Sequence, residues 1–129
     1  MSSIRAHSAE PEQTRPDLYD GELPRTGELL IRAAHAPDAF VVCLYGELDL
    51  ASAPILERTM RMVESIDVGR VVLDLRALEF IDSTGLHALM RAHERWRAQG
   101  RRLSLLRGPH AVHRVFELTN TVALFAFDG

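Results

Sequence analysis

Val71-Val72-Leu73-Asp74-Leu75, followed by Phe80-Ile81-Asp82-Ser83-Thr84-Gly85-Leu86, is the stretch whose reading decides the fold. The first five residues are a short, mostly apolar run of the kind buried in a parallel sheet. Beyond Asp82-Ser83-Thr84-Gly85 the period changes. Leu86, Leu89, Met90, His93 and Trp96 fall on one helical face, and Gly100 supplies a stop. A buried strand that feeds a polar loop into a helix is the building unit of an α/β sheet.

The same alternation extends in both directions. Upstream, Leu29–Ala33 reads as a first strand, and Ala36-Pro37-Asp38 as the turn into a β-rich strand, Phe40–Tyr45, which Gly46 is expected to end. Ser52-Ala53-Pro54 sets a capping hydroxyl before a proline suited to a first helical turn. Ile55, Leu56, Thr59, Met60, Val63 and Ile66 then recur at helical spacing, so a helix over about 52–66 is expected, broken by Gly69. Downstream, Leu103–Leu106 is another strand, Gly108-Pro109 leads into a helix carrying Val112, Val115, Phe116 and Leu118, and Leu124–Phe127 makes a last short strand. The fold class is therefore α/β: a single domain over 29–129 with a mixed, mostly parallel sheet of four to five strands packed with helices, and an antiparallel first strand.

Composition narrows the function. With 129 residues, 47% of them hydrophobic and 26% charged, the chain is sized for one compact domain plus an appendage. A single cysteine, Cys43, excludes an internal disulfide and a multi-cysteine metal site. All 15 basic residues are arginine, which removes Schiff-base lysines, phosphate-loop lysines and Ser-Lys dyads. The formal net charge of −3 gives no global case for nucleic acid. That charge sits in residues 1–28, where six acids face three arginines, while 29–129 carry twelve of each. Pro11, Pro16 and Pro24 and a shortage of large apolar residues mark 1–28 as a flexible N-terminal extension. No apolar run approaches the ~18 residues of a membrane span, and the N-terminus lacks a signal-peptide core, so a cytoplasmic location and no membrane partner are expected.

In a parallel sheet the loops leaving the carboxyl ends of the strands gather on one edge, where partners are met. Two such loops stand out, Gly46-Glu47-Leu48-Asp49 and Asp82-Ser83-Thr84-Gly85, each just before a helix. Ser83 has a plain reading as a helix N-cap, and Asp49 as a loop carboxylate capping the helix near Ser52. Asp74 reads as a buried or edge carboxylate with a structural partner. His110 and His113, and His87 and His93, share no spacing with a carboxylate or cysteine, so no metal site and no cofactor is expected. Ser83 lacks the flanking glycines of a nucleophile elbow; a small hydrolase using Ser83 and a histidine is the enzyme alternative. Arginines 91, 95, 97, 101, 102, 107 and 114, interrupted by Glu94 and Glu117, read as a solvated helix face.

Gly46-Glu47-Leu48-Asp49, the strand Val71–Leu75 and above all Phe80–Leu86, in this order and spacing, resemble the STAS domain family, and within it the bacterial anti-sigma factor antagonists. The resemblance spans about Leu29 to Phe127. It implies a regulatory module without catalysis, whose partner is an anti-sigma factor with serine kinase activity. The unphosphorylated form would bind that partner and release sigma; phosphorylation of Ser83, with Thr84 as secondary acceptor, would abolish binding. It further implies a partner surface of Asp49, Asp82, Ser83, Thr84 and Gly85 and a metal-dependent serine phosphatase for reactivation, and it is compatible with a weak homodimer. The alternative within the family is a scaffold or subunit of a sensory or lipid-transport complex without the switch.

Elementary electrostatics agrees with a switch at Ser83. Free N–H groups and the dipole at a helix N-terminus tolerate a phosphate, so the fold need not change. The surface does change, because phosphoserine adds about −1.5 to −2 charges beside Asp82 and on the edge that carries Asp49.

Overall fold

The computed structural model describes residues 27–128. The extension expected over 1–28 therefore lies outside the described residues, apart from its last two. Of these, Glu28 already accepts a hydrogen bond from the Glu47 N–H at 2.9 Å.

The chain runs β1 (Leu29–His35), β2 (Phe40–Leu48), α1 (Ala53–Glu64), β3 (Arg70–Ile81), α2 (Ser83–Ala98), β4 (Arg102–Leu106), α3 (His110–Leu118) and β5 (Ala126–Phe127). The five strands lie in the order β1-β2-β3-β4-β5. β1 is antiparallel to β2 and every other pairing is parallel, as the alternation of elements predicts. Each crossover steps to the next strand in the same direction, so right-handed connections put α1, α2 and α3 on one face. One cluster accordingly joins Leu56, Met60, Leu89, Trp96, Val112 and Phe116 from the helices to Val42, Leu44, Leu73 and Leu105 from the strands. A second cluster, Val41, Cys43, Tyr45 and Val72, lies on the other side of the strands.

Four expectations need correction. Gly46 does not end β2; it passes through it with φ 102°, and the strand continues to Leu48. β3 runs not to Leu75 but to Ile81, because two register shifts against β2 keep Leu78 and Ile81 in the core. α1 spans 53–64 rather than 52–66, its last turn unwinding through bonds from Ser65 N–H to Met62 C=O and Ile66 N–H to Val63 C=O. The last strand holds only Ala126 and Phe127, since Val122–Leu124 form a 3₁₀ turn, and Leu118, expected inward, is 71% exposed.

Arginines do more here than solvate a face. Arg91 pairs with Glu57 and Arg95 with Glu64, tying α2 to α1. The Arg101 guanidinium stacks on Trp96 and donates to the carbonyls of Glu64, Ile66 and Val68, closing the end of α1.

Candidate functional site: the carboxyl edge of β2 and β3

The two loops singled out in the sequence meet at one edge of the sheet. Asp82 joins them. Its Oδ1 accepts from the Gly85 N–H at 2.8 Å, which caps α2, and its Oδ2 accepts from the Leu50 N–H at 3.2 Å in the other loop. Its own N–H donates to the Leu48 carbonyl at 3.2 Å. The capping residue is thus Asp82, not Ser83. An aspartate with extended backbone geometry fits that position, where a side-chain oxygen must reach back to the first helical turn.

Ser83 is released from structural duty by this arrangement. It is the first residue of α2 and exposed, with Thr84 half-buried behind it. Gly85 is buried, and for a steric reason: a Cβ there would lie 2.5 Å from the Leu48 carbonyl oxygen and 2.8 Å from Leu48 Cγ. The close approach is to the β2 end, so Gly85 acts by bringing the two loops together.

Asp49 shapes the first loop. Its Oδ1 accepts from the N–H groups of Ala51 and Ser52, both at 3.0 Å. Ser52, expected to cap α1 through its hydroxyl, makes no such bond; Oγ donates instead to the Glu47 carbonyl at 2.7 Å. The serine is buried and locks the turn from inside, while the Asp49 carboxylate holds the Ala51 and Ser52 N–H groups that lead into α1. Two apolar side chains that sequence reading did not single out stand exposed beside these polar groups, Leu50 at 72% and Phe80 at 47%. The signal for Leu50 was an apolar residue in a turn, outside either periodicity; Phe80 lies beyond Leu75, in a stretch for which the sequence predicts no strand.

The remaining candidates lie elsewhere. Asp74 is buried and held by the Arg76 guanidinium through two contacts, 3.0 Å to Oδ1 and 2.8 Å to Oδ2, with Cys43 Sγ donating at 3.8 Å. The hydrogen-bonded carboxylate raises the Arg76 pKa above its ordinary value, as a salt bridge to a buried partner should. His113 packs its ring against Phe116 and Phe127. Among the described residues no three His, Cys, Asp or Glu side chains are grouped to hold a metal ion, and no helix is long and apolar enough to cross a membrane.

Comparison with known proteins places this edge in context. The model of the STAS domain matches residues 31–128. An anti-sigma factor antagonist from Mycobacterium paratuberculosis superposes with a TM-score of 0.74 at 26% identity, covering 81% of this chain and 89% of that one. The phosphorylated form of the Bacillus cell fate determinant SpoIIAA gives a TM-score of 0.59 at 18% identity, covering 78% and 92%. A sulfate transporter family protein from Wolinella succinogenes gives 0.62 at 18%, covering 89% and 88%. At the two lower identities it is the fold that is shared.

Proposed function

The chain belongs to the STAS domain family, and from that premise we propose that it is an anti-sigma factor antagonist, a binding module without catalysis, switched by phosphorylation at Ser83. The observation that carries the proposal is the division of labour between neighbours. Asp82 caps α2, which leaves the Ser83 hydroxyl exposed and free to be modified without cost to the helix. The likeness to the mycobacterial antagonist supports the same role.

In this reading the unphosphorylated edge of Asp49, Leu50, Phe80, Asp82 and Ser83 binds an anti-sigma factor that is also a serine kinase, in the cytoplasm, and sigma is released. Phosphate on Ser83 puts about two negative charges at the centre of the contact, and a partner fitted to a hydroxyl leaves them uncompensated. A metal-dependent serine phosphatase returns the protein to its binding form. Thr84, half-buried, is the poorer acceptor. Residues 29–128 carry the whole switch.

The test is to mix the full chain with candidate anti-sigma kinases and ATP, and to map the phosphopeptide. Phosphate on Ser83, lost in Ser83→Ala, supports the switch. Absence of both binding and labelling with every kinase of the genome that encodes it favours the family's scaffold or transport-subunit role instead.

A further inference from the structure

The sheet has two faces, and α1, α2 and α3 all pack on one of them. Val41, Cys43 and Tyr45 of β2, Val72 and Asp74 of β3 and Ser104 of β4 share the other, as their registers require. Ala36 and Ala39 of the β1–β2 hairpin join this second cluster, and no described helix contributes to it.

The helix-free face is nevertheless dry within the single chain. Val72 is 0% exposed, Val41 and Asp74 1%, and Ser104 3%, and the Ser104 hydroxyl is sealed from solvent with no hydrogen-bond partner among the described residues. Strand side chains stand roughly perpendicular to their sheet, so neighbours in the same layer shield their flanks and leave their tips open. Burial this complete over three adjacent strands requires a layer above them. Within the chain, only residues 1–26 and Gly129 lie outside the described residues, and one terminal glycine cannot cover three strands.

We propose that the N-terminal segment folds back over the helix-free face as a third layer, with Leu18, Tyr19 and Leu23 as its apolar anchors. Its reach is sufficient. The chain enters β1 through a turn at Gly27, φ 85°. The eight residues from Tyr19 to Thr26 extend up to roughly 27 Å, against ~14 Å for the three strand spacings from β1 to β4. Its charge is complementary as well. Arg32, opposite Cys43 in the register, and Arg76, paired with Asp74, stand on this face, while Asp17, Asp20 and Glu22 flank the anchors. The composition of the segment predicts flexibility because so few apolar side chains cannot build a core alone; on a preformed sheet they need only complete one. Ser83 opens a helix on the opposite face, so the proposal does not depend on the switch.

The single cysteine provides the test. Cys43 lies beneath the proposed layer and is buried, so its thiol should react slowly with a maleimide in the native full chain. Leu18→Ser, Tyr19→Ser and Leu23→Ser combined should raise that rate at least tenfold while far-UV circular dichroism stays unchanged. A second measurement needs no variant: nuclear Overhauser contacts from Tyr19 and Leu23 to Val41 and Val72 are expected in the natural chain. Absence of those contacts, or a thiol equally slow in the triple variant, would overturn the proposal. Contacts seen only between differently labelled chains would assign the cover to a second copy and overturn it equally.

Discussion

The Asp82 carboxylate and the Leu50 N–H, 3.2 Å apart, join two loops that lie 32 residues apart in the chain. Because the other carboxylate oxygen caps α2, one side chain sets both the start of the helix and the position of the neighbouring loop. Ser83, next in sequence, carries none of that load.

Asp82→Ala should therefore destabilise and Ser83→Ala should not. Loss of a cap costs about 0.5–2 kcal/mol, to which the lost tie to Leu50 adds, so a fall in thermal midpoint of about 5–15 °C is expected. Ser83→Ala, at an exposed position, should stay within about 0.5 kcal/mol of the natural chain. Thermal unfolding of the two variants side by side checks this; equal midpoints would return the capping role to Ser83.

Gly85→Ala reverses the usual sign for a helix. Inside a helix that exchange normally gains up to about 1 kcal/mol from propensity. Here the new methyl meets the backbone carbonyl of Leu48 at 2.5 Å, an obstacle that cannot rotate away. A loss of about 1–3 kcal/mol is expected, with partner binding weakened as the loops are forced apart. Urea unfolding gives the sign directly, and a stabilised variant would mean that the two loops can separate at no cost.

His113 predicts an acid limb in the stability profile. Its ring is buried between Phe116, with centroids 5.9 Å apart, and Phe127, at 5.0 Å. Burial pushes its pKa below the ordinary 6.5; Arg107 and His110 act in the same direction, and Glu117 opposes them. With the folded value below the unfolded one, the unfolded chain takes up the proton first as pH falls. Stability is therefore complete above the unfolded pKa, declines as pH falls below about 6.5, and levels off below the lowered folded value. Denaturant unfolding at pH 7.5 and 5.5 should show a loss at the lower pH that shrinks in His113→Leu. An unchanged loss in that variant would assign the effect to other groups.

Most of the fold was legible because its signals are local. The apolar runs of β2 and β3, the helical spacing of Leu86, Leu89 and Trp96, and the hairpin at Pro37-Asp38 each speak for themselves. What was missed depends on partners distant in sequence. The continuation of β3 to Ile81 requires two register shifts that only pairing with β2 can create. Gly46 looks like a terminator until the strand is seen to use its positive φ and continue. At the candidate site the hydrogen-bonding roles of neighbouring residues differ from the sequence reading. Asp82 and Ser83 are both good caps, and only the geometry of the strand exit decides that the aspartate takes the helix and the serine faces outward. Ser52, read as a cap, instead turns its hydroxyl back to the Glu47 carbonyl, a contact set by the turn and not by its place before a helix.

Phosphorylation should separate interface from fold most clearly. Phosphate on Ser83 stands on the first turn of α2, where unpaired N–H groups and the helix dipole favour an anion, and the cap on Asp82 is already in place. Far-UV circular dichroism and the thermal midpoint of the phosphorylated protein should barely move. Affinity for the cognate anti-sigma factor should fall at least a hundredfold, about 2.7 kcal/mol, because the added charge must be buried in the contact next to Asp82. Ser83→Asp should reproduce only part of that loss, since a carboxylate carries one charge and lacks the three acceptor oxygens of phosphate. Calorimetric titration of both forms against the partner is the measurement. Affinities equal within a few-fold, together with a phosphorylated protein that unfolds, would show that Ser83 acts through stability and not through the surface that Asp82 holds in place.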